Sequence, residues 1–228
     1  MKKKLLVISA HPDDEILGCG ASMANYSRKG YEINTLILSK GIDSRINIKN
    51  KKNKKKNLEY SAIKANKIVG SKKIEFGNFP DNKFDTVPLL NIAQTIEKKI
   101  KNFKPNIIFT HHFNDLNIDH EIANRATIIA SRPMPKKNNI KILTYEVNSS
   151  TDWANNNKPG KFTPNYFIKI SKNDLIKKIK ALKCYKSEMR KWPHTRSIEA
   201  IRSLSKTRGS SVGLEYAEAF SLFRQIDF

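Results

Sequence analysis

Short apolar runs alternate with amphipathic stretches along the first 150 residues of the chain. Continuous apolar runs are typical of strands buried on both faces of a parallel sheet, and amphipathic stretches that end at a glycine or in lysines are typical of helices. The pattern predicts strands over residues 5–9, 33–38, 74–76, 106–110 and 140–147. It predicts helices over residues 14–29, 58–69, 89–100 and 119–130. This alternation favours an α/β fold with a mostly parallel sheet and helices on both faces.

The pattern becomes less regular after Ser149. A polar loop is expected over residues 149–164, a long basic helix over residues 175–189, and an Arg- and Ser-rich tail from Trp192 onward. No internal repeat and no shift of composition marks a domain boundary. We therefore expect one domain over residues 1–228, in which residues 150–228 complete the pocket formed by the first part.

The chain is strongly basic, with 43 Lys and Arg against 21 Asp and Glu in 228 residues and a formal net charge of +22. Such a charge attracts phosphates, nucleic acids or anionic membranes, but lysines spread over a solvated surface give the same total. The densest run, residues 49–56, has no interleaved aromatics and does not resemble a stacking platform for single strands. We expect it to be a mobile loop that leads into a helix, and we expect no specific nucleic-acid partner.

The two cysteines, Cys19 and Cys184, lie far apart and without metal-ligand spacing. This usage fits a reducing compartment. The apolar run that follows the basic start is too short for a secretory signal or a membrane span, because His11 and the acids after it interrupt it. A cytoplasmic location is expected.

A histidine and three acids, His11, Asp13, Asp14 and Glu15, directly follow the first predicted strand and open a helix. The carboxyl ends of parallel strands are where open α/β sheets place their sites. Pro12 fixes the turn, so the side chains leave it in different directions. A helix cap would need only one carboxylate, whereas a cation offsets the repulsion of adjacent carboxylates. This cluster predicts a metal site.

A second polar cluster, from Thr110 to His120, follows the predicted strand 106–110 and therefore emerges at the same edge of the sheet. His120 would complete a site of two histidines and one carboxylate with His11 and Asp14. Three protein ligands leave a position open for water, as in catalytic zinc sites, and the same set also suits iron(II). Taken alone, His111 and His112 have the less favoured alternative of being polar loop residues.

The string from Ala10 to Glu15 resembles the signature of the PIG-L/LmbE-like deacetylases, which remove N-acetyl groups from GlcNAc-type sugars in lipids, glycosides and antibiotics. The resemblance covers roughly the first 150 residues. It continues through residues 14–20, 44–45, 79–81 and 115–120, and through Ser149, Ser150, Thr151 and Trp153. It implies a zinc-dependent N-deacetylase in a Rossmann-like domain, with the site at the carboxyl edge of the strands.

The resemblance also assigns residues. His11 and Asp14 match the first two zinc ligands, and His120 matches the third. Asp13 matches the general base that takes a proton from water. Arg45 and Asp81 match positions near the sugar.

One position departs from the family pattern. Several members carry a histidine, proposed to stabilise the oxyanion, three residues before the third ligand, where this chain has Asn117. Asn can donate a hydrogen bond but carries no charge. His194, which follows Pro193, is a candidate replacement as a cation over the pocket, and Arg196 is a candidate for binding substrate. Either residue could instead belong to a surface loop. The tail arginines could bind a phosphate, but the sequence favours the interpretation that they lie on a solvated face.

Gly18 and Gly20 resemble the start of a dinucleotide fingerprint, but they lie inside the predicted helix, and Met23 stands where the third glycine would be. Small residues that let the helix pack closely on the sheet explain them better. The expected function is hydrolysis of an N-acetylated amino sugar, nucleotide- or lipid-linked. The alternatives are a basic nucleic-acid-binding protein and a related metal-dependent N-acyl or N-formyl amidohydrolase.

Overall fold

A computed structural model describes residues 2–41, 51–133, 140–154 and 160–226 of the chain. In these segments seven strands and six α-helices form. The strands are β1 (Lys4–Ser9), β2 (Glu32–Ser39), β3 (Lys73–Phe79), β4 (Ile107–His111), β5 (Lys141–Tyr145), β6 (Tyr166–Lys169) and β7 (Ala217–Arg224). The helices are α1 (Asp14–Arg28), α2 (Lys51–Val69), α3 (Leu89–Phe103), α4 (Ile118–Ala130), α5 (Lys172–Leu182) and α6 (Ile198–Ser210).

The strands form one seven-stranded sheet in the order β3-β2-β1-β4-β5-β7-β6. Strands β1 to β5 pair in parallel, whereas β7 is antiparallel to both β5 and β6. The chain runs outward from β1 in one direction to β3 and then returns to place β4 on the other side of β1. The carboxyl ends of β1 and β4 therefore lie at a topological switch point, where open α/β sheets bind ligands. The predicted fold class is confirmed.

Helices cover both faces of the sheet. On one face α1, α2 and α5 pack together over a core that includes Val7, Phe109 and Tyr145. On the other face α3 and α4 pack over a second core that includes Ile8 and Ile108. Residues of β1 and β4 contribute to both cores, as expected for central strands buried on both sides. Among the described residues, no helix combines the length and apolar character that a membrane span requires.

The last third and the lysine run differ from the sequence-based expectation. Strands β6 and β7 and helix α6 were not predicted. Helix α5 ends at Leu182 instead of residue 189, because Tyr185 turns inward on a short i→i+3 hydrogen bond and is buried. Helix α2 begins at Lys51, so lysines 51–56 belong to the helix and not to a loop. Lysine is a good helix former, and this explains the difference.

Helix α1 contains a kink, and a buried ion pair from two other elements forms hydrogen bonds with the backbone groups near it. Cys19 has non-helical backbone angles, φ −141° and ψ 18°. Glu218 on β7 accepts hydrogen bonds from the backbone N–H of Ala21 and of Ser22, at 3.1 and 2.6 Å. The Nζ atom of Lys178 on α5 donates to the carbonyl of Leu17 and to Glu218, each at 2.6 Å. The polar groups near the kink are therefore paired inside the core.

Gly18 in α1 allows close helix–sheet packing, as the sequence indicated, whereas Gly20 faces α5 and its own helix. A Cβ atom on Gly18 would lie 2.2 Å from Cδ2 of Tyr145 on β5, and one on Gly20 would lie 3.0 Å from Cγ2 of Ile16. The hydroxyl of Tyr145 donates to the carbonyl of Ile8 at 2.9 Å. Gly18 thus leaves room for a ring that links β5 to β1 directly beneath the carboxyl edge.

Candidate metal centre

The turn between β1 and α1 has an unusual backbone that spreads its side chains. Asp13 has φ 109°, a value that residues with a side chain rarely adopt. Two local hydrogen bonds hold it: the Asp13 N–H donates to Glu15 Oε2 at 3.0 Å, and the His11 N–H donates to Asp14 Oδ2 at 2.9 Å. Glu15 in turn accepts hydrogen bonds from Tyr185 OH at 2.6 Å and Asn66 Nδ2 at 2.8 Å. Glu15 therefore supports the turn from inside the protein.

His11, Asp14 and His120 bring one ligand atom each within 4.8 Å of one another. Asp14 and His120 are almost completely buried, at 1% and 2% exposure. Asp14 Oδ2 lies 3.4 Å from His11 Nδ1 and 3.2 Å from His120 Nε2. The three side chains come from the loop after β1, the start of α1 and the first turn of α4, so they approach a common point from different sides.

Carboxylates orient both imidazoles by their outer nitrogens. Nε2 of His11 lies 2.9 Å from Asp119 Oδ2, and Nδ1 of His120 lies 3.1 Å from Asp115 Oδ1. An ionised carboxylate only accepts, so each of these nitrogens carries the hydrogen. In the neutral ring that a metal requires, the lone pair then lies on the nitrogen that faces Asp14. This is how carboxylates fix the tautomer of metal-binding histidines.

The supporting carboxylates are themselves anchored. Asp119 Oδ1 accepts from the Phe84 N–H at 2.9 Å, and Asp115 accepts from the hydroxyls of Ser150 and Thr151. Burial alone raises the pKa of Asp115, but hydrogen bonds and charge from His120 and the two hydroxyls outweigh it and lower that pKa. Asp115 is therefore charged at neutral pH.

The cluster fits a divalent metal. Nε2 of His120 is buried and lies 3.2 Å from Asp14 Oδ2, but it forms no well-aligned hydrogen bond to the described residues. Although burial lowers histidine pKa values, the surrounding carboxylates raise the pKa of His11 to about 10 and that of His120 to about 9. This concentration of negative charge around two nitrogen ligands and one carboxylate suits zinc or iron(II).

Asp13 lies beside the cluster but is not part of it. Its Oδ2 accepts a hydrogen bond from Arg196 Nη1 at 2.8 Å. Arg196 also donates through Nε to Ser149 Oγ at 2.6 Å and, more weakly, to the Asn148 carbonyl at 3.4 Å. Burial raises the pKa of the Asp13 carboxyl, and the Arg196 cation opposes that increase. A buried carboxylate held in one orientation has the properties of a positioned base.

The two candidate oxyanion residues occupy different positions. Asn117 lines the cavity and caps α4: its Oδ1 accepts from the Asp119 N–H, and its Nδ2 donates to Asn82 Oδ1, both at 2.9 Å. His194 is not among the lining residues. Its Nδ1 accepts from the Arg196 N–H at 3.0 Å, and its ring packs edge-on against Trp153. The tail therefore reaches the cavity through Arg196, while His194 supports the backbone of that residue.

A cavity of about 560 Å³ opens over the cluster. Besides the metal-site residues, Asp13, Asn117 and Arg196, its lining includes Asp81, Asn82, Leu58, Leu116, Ile118, Ser149, Ser150, Glu188 and Arg190. Asp81 is buried, and its Oδ1 lies 3.4 Å from His11 Nε2. Arg45 lies outside the described residues.

The sequence did not assign Asp115, Ser150 or Glu188 to the site. The spacing of Asp115, five residues before His120, was visible in the sequence. Its hydrogen bond to Ser150, 35 residues away, was not. Glu188 lines the cavity from the segment after α5, which was expected to be helix.

Comparisons with known proteins agree with this geometry. The chain matches the GlcNAc-PI de-N-acetylase family, PIG-L, over residues 6–131. It is 30% identical over 191 residues to "Uncharacterized deacetylase YaiS" of Escherichia coli (strain K12), covering 82% of this chain and 92% of that protein.

Two solved structures share the fold at low identity. N,N'-diacetylchitobiose deacetylase from Pyrococcus horikoshii superposes with a TM-score of 0.78 at 18% identity, over 97% of this chain and 84% of its own. GalB, the 4-carboxy-2-hydroxymuconate hydratase of Pseudomonas putida KT2440, superposes with a TM-score of 0.76 at 19% identity, over 99% and 98% of the two chains. At these identities the likeness shows the fold and not the reaction.

The family match covers more than half of the chain and includes both clusters that form the metal centre, and the deacetylase of Escherichia coli is similar over most of its length. The protein belongs to the GlcNAc-PI de-N-acetylase (PIG-L) family and is a hydrolase of the deacetylase type.

Proposed function

We propose that the protein is a zinc-dependent hydrolase that removes the acetyl group from an N-acetylated amino sugar of the GlcNAc type, carried on a nucleotide or a lipid. The observation that carries this proposal is the convergence of His11, Asp14 and His120 beside the buried carboxylate of Asp13, at the base of an open cavity. The family is described by its action on GlcNAc-PI, and the Pyrococcus enzyme by its action on N,N'-diacetylchitobiose. Both names describe N-acetylated amino sugars.

The proposal assigns the metal to His11, Asp14 and His120. A zinc ion held by three protein ligands polarises an amide carbonyl and lowers the pKa of water at its open position. Asp119 and Asp115 keep the two imidazoles oriented. Each ring, once neutral, then directs the lone pair of its other nitrogen towards the metal position. Iron(II) is the alternative metal for this ligand set.

Asp13 is proposed to take the proton from the attacking water. Its burial makes the carboxylate a stronger base, and Arg196 keeps one oxygen of that carboxylate in place. Asn117 and His194 were the candidates for stabilising the oxyanion. Arg196, expected to bind substrate, lines the cavity as a cation, and we propose that it also serves the oxyanion. Asp81 and Arg45 are proposed to contact the sugar.

We further propose that residues 1–228 act as one domain, in which residues 150–228 complete the pocket. Glu188, Arg190 and Arg196 line the cavity, and β7 pairs with β5 inside the same sheet. Both cysteines are free thiols, which suits the cytoplasmic location that we propose.

The test is a metal determination on the purified protein followed by assays of acetate release. UDP-GlcNAc and a GlcNAc lipid would be compared, with N-formyl analogues of each as the alternative substrates. The matched control is Asp14→Asn, which removes one ligand with little change of volume. We expect metal-dependent acetate release in the wild type and none in the variant. Formate release without acetate release would favour the N-formyl amidohydrolase, and equal activity in the metal-free protein would refute the proposal.

A further inference from the structure

Helices α2 and α5, with the segment up to Trp192, expose basic side chains and no acid among their described residues, and we call this surface the basic face. Its exposed cations are Lys54, Lys56, Lys64, Lys67, Lys172, Lys180, Lys183, Lys186, Arg190 and Lys191. The acids in these segments are not exposed: Asp174 and Glu188 are buried, and the partly buried Glu59 pairs with Lys40 at 3.4 Å.

The two helices meet along this face. They pack against each other and against α1 on one side of the sheet. Lys64 on α2 lies close enough to Cys184, just after α5, to oppose the rise in the pKa of that thiol caused by burial. The lysines of α2 and of the α5 segment therefore contribute to one surface.

The charge is not a uniform bias of the chain. On the opposite side of the sheet, α3 and α4 expose charges of both signs: the acid Glu97 and the cations Lys98, Lys101 and Arg125. Lys99 on α3 is buried and pairs with Glu75 at 2.9 Å. The surface of α2 and the α5 segment therefore differs from that of α3 and α4 in exposing cations without an acid.

Large apolar side chains are exposed among these lysines. Tyr60 and Ile63 on α2 are 58% and 47% exposed, and Trp192 is 63% exposed. In α2 they share a stripe with Lys56, Lys64 and Lys67, because residues three, four and seven apart lie on one side of a helix. Basic side chains interspersed with Tyr, Trp and aliphatic residues are typical of surfaces that lie on anionic lipid.

The face adjoins the candidate active-site cavity. Leu58 on α2 and Arg190 at the end of the α5 segment both line that cavity. Contact between this face and a membrane would therefore place the cavity beside the lipid headgroups. Nucleic acid would match the charge, but it would leave Ile63 without a function, since an aliphatic side chain cannot stack on a base as an aromatic one does.

We propose that the face formed by α2, α5 and residues 183–192 docks on an anionic lipid surface, with lysines at the headgroups and Tyr60, Ile63 and Trp192 in the interfacial layer. This docking is independent of the reaction. That it presents a lipid-linked amino sugar to the cavity is a consequence that rests on the proposed function.

The test measures co-sedimentation of the full chain with phosphatidylcholine vesicles that contain or lack phosphatidylglycerol, over a range of salt concentrations. The variant K56Q/K64Q/K67Q removes three charges from the face, and K98Q/K101Q/R125Q removes three from the opposite side. At about a factor of five per basic residue, we expect the first variant to lower partitioning into anionic vesicles on the order of 10²-fold. The second variant should bind almost as well as the wild type.

A third variant, Y60S/I63S, distinguishes docking on lipid from binding of nucleic acid. It should weaken vesicle binding while leaving binding to random duplex DNA unchanged. Equal losses in the two charge variants, no binding of the wild type at low salt, or tighter binding to DNA than to vesicles would overturn the proposal. Acetate release from a soluble N-acetyl sugar, measured in the same variants, reports separately on the proposed function: vesicle binding by a protein inactive on every sugar would leave the docking face in place.

Discussion

Asp13 adopts a backbone angle that is costly for a residue with a side chain, φ 109°. Its backbone N–H is held by Glu15 and its carboxylate by Arg196, 183 residues away. The surrounding contacts therefore keep a strained residue at the edge of the metal cluster. Strain of this kind is found where geometry matters for function, which agrees with the proposed role of Asp13 as the base.

Replacing Asp13 with Asn separates its chemistry from its position. Asn has nearly the same size and is among the residues that tolerate positive φ, so we expect the fold and the bound metal to be retained. Loss of the basic oxygen should lower kcat by about 10²-fold or more. Metal content and steady-state kinetics measured on the same preparation provide the check. A variant with full turnover would remove Asp13 from the mechanism.

Arg196 and His194 can be distinguished by kinetics. Arg196 lines the cavity and contacts Asp13, whereas His194 contacts the backbone of Arg196. We expect Arg196→Gln to lower kcat by about 10²-fold and His194→Ala to lower it less.

The pH profile adds an independent measurement. The Arg196 cation opposes the raised pKa of Asp13, so its removal should raise that pKa further and move the acidic limb of the kcat profile to higher pH. Arg196→Lys should restore part of both effects. If His194→Ala lost as much kcat as Arg196→Gln, the imidazole would regain the oxyanion role.

At the residue scale the sequence predicts the candidate ligands but not the hydrogen bonds that hold them in place. His11 and Asp14 could be proposed as ligands because they follow the apolar strand β1 closely, and His120 because it lies in the polar cluster that follows β4. Asp115 and Asp119 lie shortly before His120 in the sequence, but their hydrogen bonds could not be predicted because they depend on how α4 packs against the loop after β1. Arg196 is more remote still, since its approach to Asp13 requires the path of the whole tail.

Among the elements, those with a clear local pattern were predicted and those defined by pairing were not. Strands β1, β2, β4 and β5 lie inside the sheet and are mostly buried, so their apolar runs report burial directly. Strand β3 lies at the edge and is only partly buried, and the sequence predicted only residues 74–76 of it. Strand β6 has four residues and β7 is antiparallel to its neighbours. Neither property has a local signal, because the partner strand decides both. The end of α5 was missed because the inward turn of Tyr185 depends on its contact with Glu15.

Helix α1 provides a test of packing at the element scale. Alanine is favoured over glycine inside a helix by about 1 kcal/mol. A Cβ on Gly18 would nevertheless lie 2.2 Å from the ring of Tyr145, and overpacking of this kind typically costs about 1–3 kcal/mol. We expect Gly18→Ala to lower the free energy of unfolding, measured with urea. Gly20→Ala is the control, since the atom nearest to its new Cβ would be a side-chain methyl of Ile16 at 3.0 Å. Equal stability of the two variants would contradict this account of α1.

For the whole molecule, total charge was readable from the sequence and its distribution was not. A formal charge of +22 is compatible with an evenly solvated surface. Only the packing of α2 beside α5 brings together exposed cations without an exposed acid among the described residues of these two helices. The same packing places the basic face next to the cavity.

Metal binding is expected to be coupled to protons across the physiological range. In the metal-free protein, burial lowers the pKa values of His11 and His120, but the carboxylates around the two rings outweigh it. They raise the pKa of His11 to about 10 and that of His120 to about 9, from a value of 6.5 in the unfolded chain. These raised values stabilise the metal-free fold fully below about pH 6.5, and the stabilisation is lost as the pH rises through about 9 to 10. A metal requires the neutral imidazoles, so it competes with these protons.

We therefore expect zinc binding near neutral pH to release about two protons per metal, and the apparent affinity to rise with pH between about 6 and 9. Calorimetric titrations in buffers of different ionisation enthalpy measure the number released. Asp14→Asn removes a ligand and also a carboxylate that raises both histidine pKa values, so affinity and proton release should fall together. Tight zinc binding without proton release would show that the metal does not displace protons from His11 and His120, and would place it elsewhere on the protein.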